Sequence, residues 1–216
     1  GVDVIIFSAV DYNANAEIIY QAAQRGIKII VIDSDVNSSQ VSCRIGTNNL
    51  QAGIKAAEAA LATDDEELYI GIVNYDVNSA NGQQRELGFR QTVEQDPRVK
   101  NITTINVLST TEDARAGAKE MLLSDSRINV VVTFNEWTSL GVGWAIRDLN
   151  RADRIQVVAF DSNVVSVGML ETGEVDALIV QNPYAMGYLG VETAANLMNG
   201  QTGGPSVVDT ATPIVP

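Results

Sequence analysis

An α/β fold with a parallel sheet and helices on both of its faces is what this chain predicts, on three observations. Short runs rich in Val and Ile alternate with helical patterns along all 216 residues. Two of these runs, Ile27 to Ile32 and Ile155 to Phe160, stop on the same pair of polar residues, Asp33-Ser34 and Asp161-Ser162. A continuous apolar run that ends on a short polar cluster reads as a strand buried on both faces that delivers side chains at its carboxyl end. In open α/β sheets ligands bind outside those ends, so the two tips are candidates for one shared site.

The elements follow in order. Residues 4–7 form a strand ending at Ser8-Ala9-Val10-Asp11, and a helix follows with Asn13 or Asn15 as cap, an apolar face at Ala16, Ile19, Ala22 and Ala23, and Gly26 as its stop. Strand 27–32 is next, then a short strand from Val41 to Ile45 and an alanine-rich helix from Leu50 to Ala62. Strand 68–73 leads into a polar loop from Asn74 to Gln83 and a helix reaching Gln95. The alternation continues with strand 102–107, helix 113–123, strand 129–133, helix 138–149, strand 155–160, helix 165–172, strand 177–180, helix 186–199 and an extended stretch from Ser206. No low-complexity linker divides the chain. Two transitions read as hinges: Arg44 to Asn49, and Gln181-Asn182-Pro183, where proline closes an apolar strand.

Composition narrows the chemistry. With 45% hydrophobic residues the chain buries a real core. A formal net charge of −13 and no cluster of Lys or Arg disfavour nucleic-acid phosphates and anionic membranes. The absence of histidine removes Ser-His-Asp and Cys-His catalysis and the common imidazole metal sites. The single cysteine, Cys43, has no internal disulfide partner and reads as a small apolar strand residue. No apolar run reaches the roughly 18 residues a transmembrane helix needs. The chain opens on a buried strand with no leader before it, which reads as a sequence lacking its natural beginning.

Two enzymatic ideas can be weighed on the residues. Asp33-Ser34-Asp35 resembles a phosphotransferase start, in which the first Asp is nucleophile and the second acid/base, but Asn37 stands where that motif has Thr or Val and no later acidic pair suits magnesium. Gly141-Val142-Gly143 lies inside a helical pattern, and no Gly-rich loop ends in Lys-Ser or Lys-Thr, so neither a nucleotide nor any other cofactor or metal is supported. What remains is a scatter of polar residues at strand tips: Ser8, Asp11, Asp33, Asn49, Arg85, Asn135, Asp161 and Gln181. Each alone has a plain reading as a helix cap or a solvated side chain. Together they supply the acceptors, amides and guanidinium fork that a hydroxyl-rich ligand needs.

The segments Ile5 to Asp11, Ile30 to Ser34, Ile45 to Gly53, Gln84 to Phe89, Phe134-Asn135-Glu136, Val158 to Ser162 and Gln181-Asn182-Pro183, in that order, resemble the ribose and galactose type of periplasmic solute-binding protein, the type I fold shared with LacI-like regulators. The resemblance implies two lobes, the first from residues 1–46 and 182–206, the second from 47–181, with 207–216 as a crossing segment. It implies a monosaccharide or related polyol held as the lobes close over it. By position, Asp33 and Asp161 look like acceptors from sugar hydroxyls and Arg85 and Asn135 like second-lobe donors. Asn49 and Gln181 look like ligand-touching hinge residues, and Ser8 occupies a first-lobe position that is Asn in ribose binders.

Two departures carry information. Ser34 stands where ribose binders have Arg, so a bidentate contact is lost and the ligand is not simply ribose. The resemblance also begins at the family's third strand, so two strand–helix units, which in the family carry the rings that stack on sugar, are expected to be missing from a truncated first lobe. Trp137 and Tyr75 are candidates to replace those rings, though core or lip packing is the plainer reading. The implied setting is extracytoplasmic, in the periplasm or as a cell-surface lipoprotein. The implied partners are a membrane permease of the ABC type or a sensor kinase, with weak sugar binding and self-association through the incomplete lobe. The alternative is the effector domain of a LacI-type transcription regulator, and the third reading is a phosphatase using Asp33 and Asp35.

Overall fold

The computed structural model describes residues 1–201 and 204–216. Thr202 and Gly203, within the range expected for the first lobe, lie outside the described residues. The chain divides into two compact units: unit 1 comprises residues 1–48, 78–81 and 182–212, and unit 2 comprises 49–77, 82–181 and 213–216. The chain therefore passes from one unit to the other at both transitions read as hinges.

Unit 1 holds β1 (Val4–Phe7), α1 (Ala16–Gln24), β2 (Lys28–Ile32), β3 (Val41–Gly46), α7 (Pro183–Met198) and β9 (Val207–Asp209). Its sheet runs in the order β1-β2-β3-β9, all parallel. β2 alternates between two packing layers. Ile29 and Val31 join Ala9, Ile19 and Val36 on one face, while Ile30 joins Cys43 and Ile45 on the other, where Leu189, Ala194 and Leu197 of α7 cover them. Cys43 is a buried β3 residue, and burial pushes its thiol pKa up against the pull of Arg44.

Unit 2 holds α2 (Asn49–Leu61), β4 (Leu68–Asn74), α3 (Ala80–Val93, from residue 82 on), β5 (Val99–Asn106), α4 (Thr111–Ser124), β6 (Val130–Thr133), α5 (Glu136–Leu149), β7 (Gln156–Phe160), α6 (Val164–Thr172), β8 (Ala177–Ile179) and β10 (Ile214–Val215). The sheet order is β10-β8-β7-β6-β4-β5, parallel except for β10, which pairs antiparallel with β8. Its central strands β4, β6, β7 and β8 are apolar on both faces because helices cover both: α2 and α3 pack over Ile70, Ile72, Val132 and Phe134, and α4 and α5 over Val131, Val157 and Ala159. Residues 207–216, read as one crossing segment, thus contain two strands that complete two different sheets. Among the described residues no helix is long and apolar enough to cross a membrane.

Several helices are closed as their sequences dictate. Thr110 caps α4, Asn163 caps α6 and Asn182 caps α7 ahead of Pro183, each accepting from first-turn amides. Asn15 sits at the N-cap of α1 but makes no side-chain cap bond; the carboxylate of Asp11 instead accepts from the amides of Asn13 and Ala14 at 2.8 Å each. α3 begins at Ala80, inside the run read as a loop, for a reason visible in its buried face below.

Candidate functional site

Six of the polar residues expected at strand tips fall into two clusters, Asn49, Arg85, Asp161 and Gln181 in unit 2 and Ser8 and Asp33 in unit 1, while Asp11 accepts from amides just ahead of α1 and Asn135 caps α5. In unit 2 the cluster is built around Arg85, in the second turn of α3. This guanidinium is only 1% exposed, and it lies 4.8 Å from the ring centroid of Phe160. Its Nε donates to Asn49 Oδ1 at 2.8 Å, its Nη1 to the Phe134 carbonyl at 2.6 Å and its Nη2 to Gln181 Oε1 at 2.7 Å. Because the Gln181 oxygen is claimed by Arg85, its amide nitrogen must face the other way, and it donates to Asp161 Oδ1 at 2.6 Å. A buried cation thus fixes an amide, and the amide fixes a carboxylate that is only partly buried. Charge-assisted hydrogen bonds of this length hold their groups firmly.

Local packing makes this reach attainable. α2 and α3 cross in close contact: a Cβ at Gly53 would lie 2.0 Å from the Arg85 carbonyl oxygen, and one at Gly88 would lie 2.1 Å from that of Leu50. Glycine at both positions lets the helices approach until Arg85 meets Asn49, the first residue of α2. Phe134, Asp161 and Gln181 follow β6, β7 and β8, so the cluster stands at the carboxyl end of the sheet.

Asn135 serves a different purpose. Its Oδ1 accepts from the Thr138 amide at 2.9 Å in a capping box that opens α5, and its Nδ2 donates to Ser109 Oγ at 2.7 Å. Its side chain is part of the start of the helix, and the structure gives it no bond to the Arg85 relay.

Unit 1 gathers Ser8, Asp33 and Ser34 after β1 and β2. Ser8 Oγ lies 3.5 Å from Asp33 Oδ2 and accepts from the Ser34 amide at 3.4 Å. Asn81 Nδ2 donates to Asp33 Oδ1 at 3.3 Å. These contacts are long, and both Ser8 and Asp33 are exposed whereas Ser34 is buried. The two echoing aspartates share an unusual backbone: Asp33 has φ 58° and Asp161 φ 70°, the left-handed region that Asp and Asn tolerate and most residues do not.

Sequence reasoning missed two members of these clusters. Asn81 sits in a polar run with no periodic signal. Phe160, the last residue of β7, reads as ordinary core, yet it carries the guanidinium on its face. Of the rings considered for stacking, Tyr75 is buried in the unit 2 core and Trp137 is half exposed on the first turn of α5. Asp35, the acid/base of the phosphatase reading, is held by Arg44 at 2.8 Å and accepts from the Val36 amide. Among the described residues no cluster of three or more acidic or cysteine ligands forms a metal site.

Parallel strands flanked by helices in two units, each with polar groups at its strand tips, define the class of two-unit α/β binding proteins. The model of the periplasmic binding protein domain family matches residues 1–202, and the chain belongs to that family. It is 25% identical over 211 residues to a D-ribose/D-allose-binding protein of Pseudomonas aeruginosa, covering 94% of this chain and 65% of the relative. Among solved structures, a carbohydrate transporter solute-binding protein of Agrobacterium radiobacter in complex with D-arabinose superposes with a TM-score of 0.94 at 28% identity, over 99% of this chain and 74% of that one. A periplasmic component of an ABC-type sugar transport system from Hahella chejuensis gives 0.95 at 28%, over 99% and 78%. The chain spans about two thirds of the length of the curated relatives it matches. The family is one of binding proteins and not of enzymes, and the transcription-regulator alternative gains no support from these matches.

Proposed function

We propose that this protein is an extracytoplasmic receptor for a monosaccharide or related polyol that serves a sugar ABC transporter. The observation that carries the reading is the Arg85–Gln181–Asp161 relay, which presents an oriented carboxylate at the carboxyl ends of the unit 2 strands. Sugar hydroxyls are both donors and acceptors, and a fixed carboxylate beside an amide suits a vicinal pair of them. Asp33 with Ser8 and Asn81 offers a second acceptor group in unit 1. The relatives named for ribose and allose, and the solved structure holding arabinose, support a pentose or hexose of this kind.

The mechanism proposed follows the family resemblance. A ligand's stronger binding to a closed state drives closure about the segments read as hinges, 44–49 and 181–183. A membrane permease is the partner proposed first and a sensor kinase second. Self-association is proposed through unit 1, where Tyr184 and Tyr188 of α7 are 81% and 58% exposed. Sedimentation at rising concentration tests the last point, and a concentration-independent monomer overturns it.

Calorimetry of the protein as encoded, titrated with pentoses, hexoses and polyols, tests the main reading. At least one sugar is expected to bind. Asp161→Asn and Asp33→Asn are each expected to weaken it about tenfold or more, the loss of a hydrogen bond to a charged group, with the fold unchanged by circular dichroism. Silence from every sugar, polyol and small furanosyl ligand overturns the proposal.

A further inference from the structure

A small basic cavity lies at the opposite end of the unit 2 sheet. Its volume is about 150 Å³, and its walls include Ser126, Arg127, Ile128, Arg151, Arg154 and Ile155. Ile128 precedes β6 and Ile155 precedes β7, so the cavity stands at the amino ends of strands whose carboxyl ends lead to Phe134 and Asp161. Three of the chain's 14 basic residues meet here, in a protein whose formal net charge is −13.

The three arginines differ in how they are compensated. Arg127 is neutralised and oriented: Asp125 takes its Nε at 2.9 Å and its Nη2 at 2.8 Å, and its guanidinium lies 4.8 Å from the Tyr69 ring centroid. Arg151 is pinned through Nη1 to the Leu122 carbonyl at 2.7 Å, a neutral partner that leaves its charge unpaired. Among the described residues Arg154 makes no side-chain hydrogen bond, and neither it nor Arg151 forms an ion pair. Asp153, between them in sequence, is exposed and pairs with neither. Like charges crowded at one cavity repel, and an anion placed between them removes that cost and gains charge-assisted hydrogen bonds.

We propose that this cavity binds a small tetrahedral oxyanion of the phosphate or sulfate class. Arg151 and Arg154 grip it, Ser126 contributes a hydroxyl donor, and the oriented Arg127 completes the wall. The space equals that of about five water molecules, enough for such an ion and too small for a nucleoside. Guanidinium forks match the oxygen spacing of such an ion, as a single ammonium does not.

Calorimetry with inorganic phosphate, with sulfate and with chloride at matched ionic strength tests this, alongside thermal melts followed by tryptophan fluorescence. Both tryptophans, Trp137 and Trp144, lie in α5, so the signal reports unit 2. Phosphate and sulfate also stabilise proteins by exclusion from their surfaces, so the deciding quantity is the difference between parent and variant. Arg154→Ala, at an exposed position, is expected to weaken phosphate binding about tenfold or more, and Ser126→Ala to weaken it less. Phosphate acting no differently from chloride, or both variants binding phosphate like the parent, overturns the proposal. A sugar titration has no bearing on this outcome.

Discussion

In unit 2 the polar cluster rests on a closed core; in unit 1 it rests on a thin one. Arg85 is 1% exposed over the fully buried Phe160 ring, and its bonds, one of them to the Phe134 carbonyl, run from 2.6 to 2.8 Å. Asp33 and Ser8 are exposed, with contacts of 3.3 to 3.5 Å. Helices cover both faces of the unit 2 sheet. Among the described residues the unit 1 sheet has β1 at its edge paired only with β2, and no β1 residue is fully buried, whereas every residue of β6 is. The contrast separates two ways of placing a strand-tip carboxylate: unit 2 fixes Asp161 through an amide held by a buried cation, and unit 1 leaves Asp33 exposed on long contacts.

The largest expected effect comes from cutting the relay at its root. Arg85→Met keeps volume but leaves the oxygens of Asn49, Phe134 and Gln181 without their donor, and each buried unpaired acceptor costs about 1–3 kcal/mol. We expect a loss of about 3 kcal/mol in tryptophan-detected denaturation; a loss under about 1 kcal/mol would show that unit 2 does not depend on its polar cluster for stability. Next, amide exchange is expected to be on the order of tenfold faster or more in β1 than in β6, because an edge strand over a small core opens at lower cost. Equal protection, read by mass spectrometry on peptides from the two strands, would erase the contrast.

The smallest effect concerns an ion pair remote from both clusters. Hydrogen bonding to Arg147 at 2.7 Å holds the Glu174 carboxyl below its usual range. A pKa depressed by folding gives stability that is present above the unfolded pKa and is lost as pH falls through the folded one. Glu174→Gln is therefore expected to cost about 0.5 kcal/mol at pH 7, a modest value because the Arg147 side chain is 44% exposed, and almost nothing near pH 3. Melting curves at the two pH values check the sign, and a cost that grew on acidification would refute it.

Much of this architecture was legible in the residues because the central strands are apolar on both faces and the punctuation is strong. β2, β4, β6 and β7 lie within a residue or so of their expected ends, each an unbroken Val/Ile-rich run. α3 was harder. Its buried face carries Asn81, Gly82, Arg85, Gly88 and Phe89 while Leu87 is half exposed, so the usual pattern of apolar inside and polar outside is inverted. The inversion exists because that face meets the relay and the close crossing with α2, and neither can be read from hydropathy. The start of α3 was lost with it, as was the part played by Asn81. Asp33 and Asp161 were visible as strand-tip carboxylates. Asn135 was visible at a strand tip as well, and the structure engages its Oδ1 as the cap of α5.

The left-handed backbone of Asp33 and Asp161 has a genetic consequence. Most replacements there would strain the turn by about 1–3 kcal/mol, whereas asparagine accepts the same conformation. Aspartate and asparagine codons differ by one base. At both positions, then, a single-base change that the turn accepts removes a charge and replaces one carboxylate oxygen with an amide donor, so the polar character of either strand tip can drift by point mutation while the architecture stays unchanged.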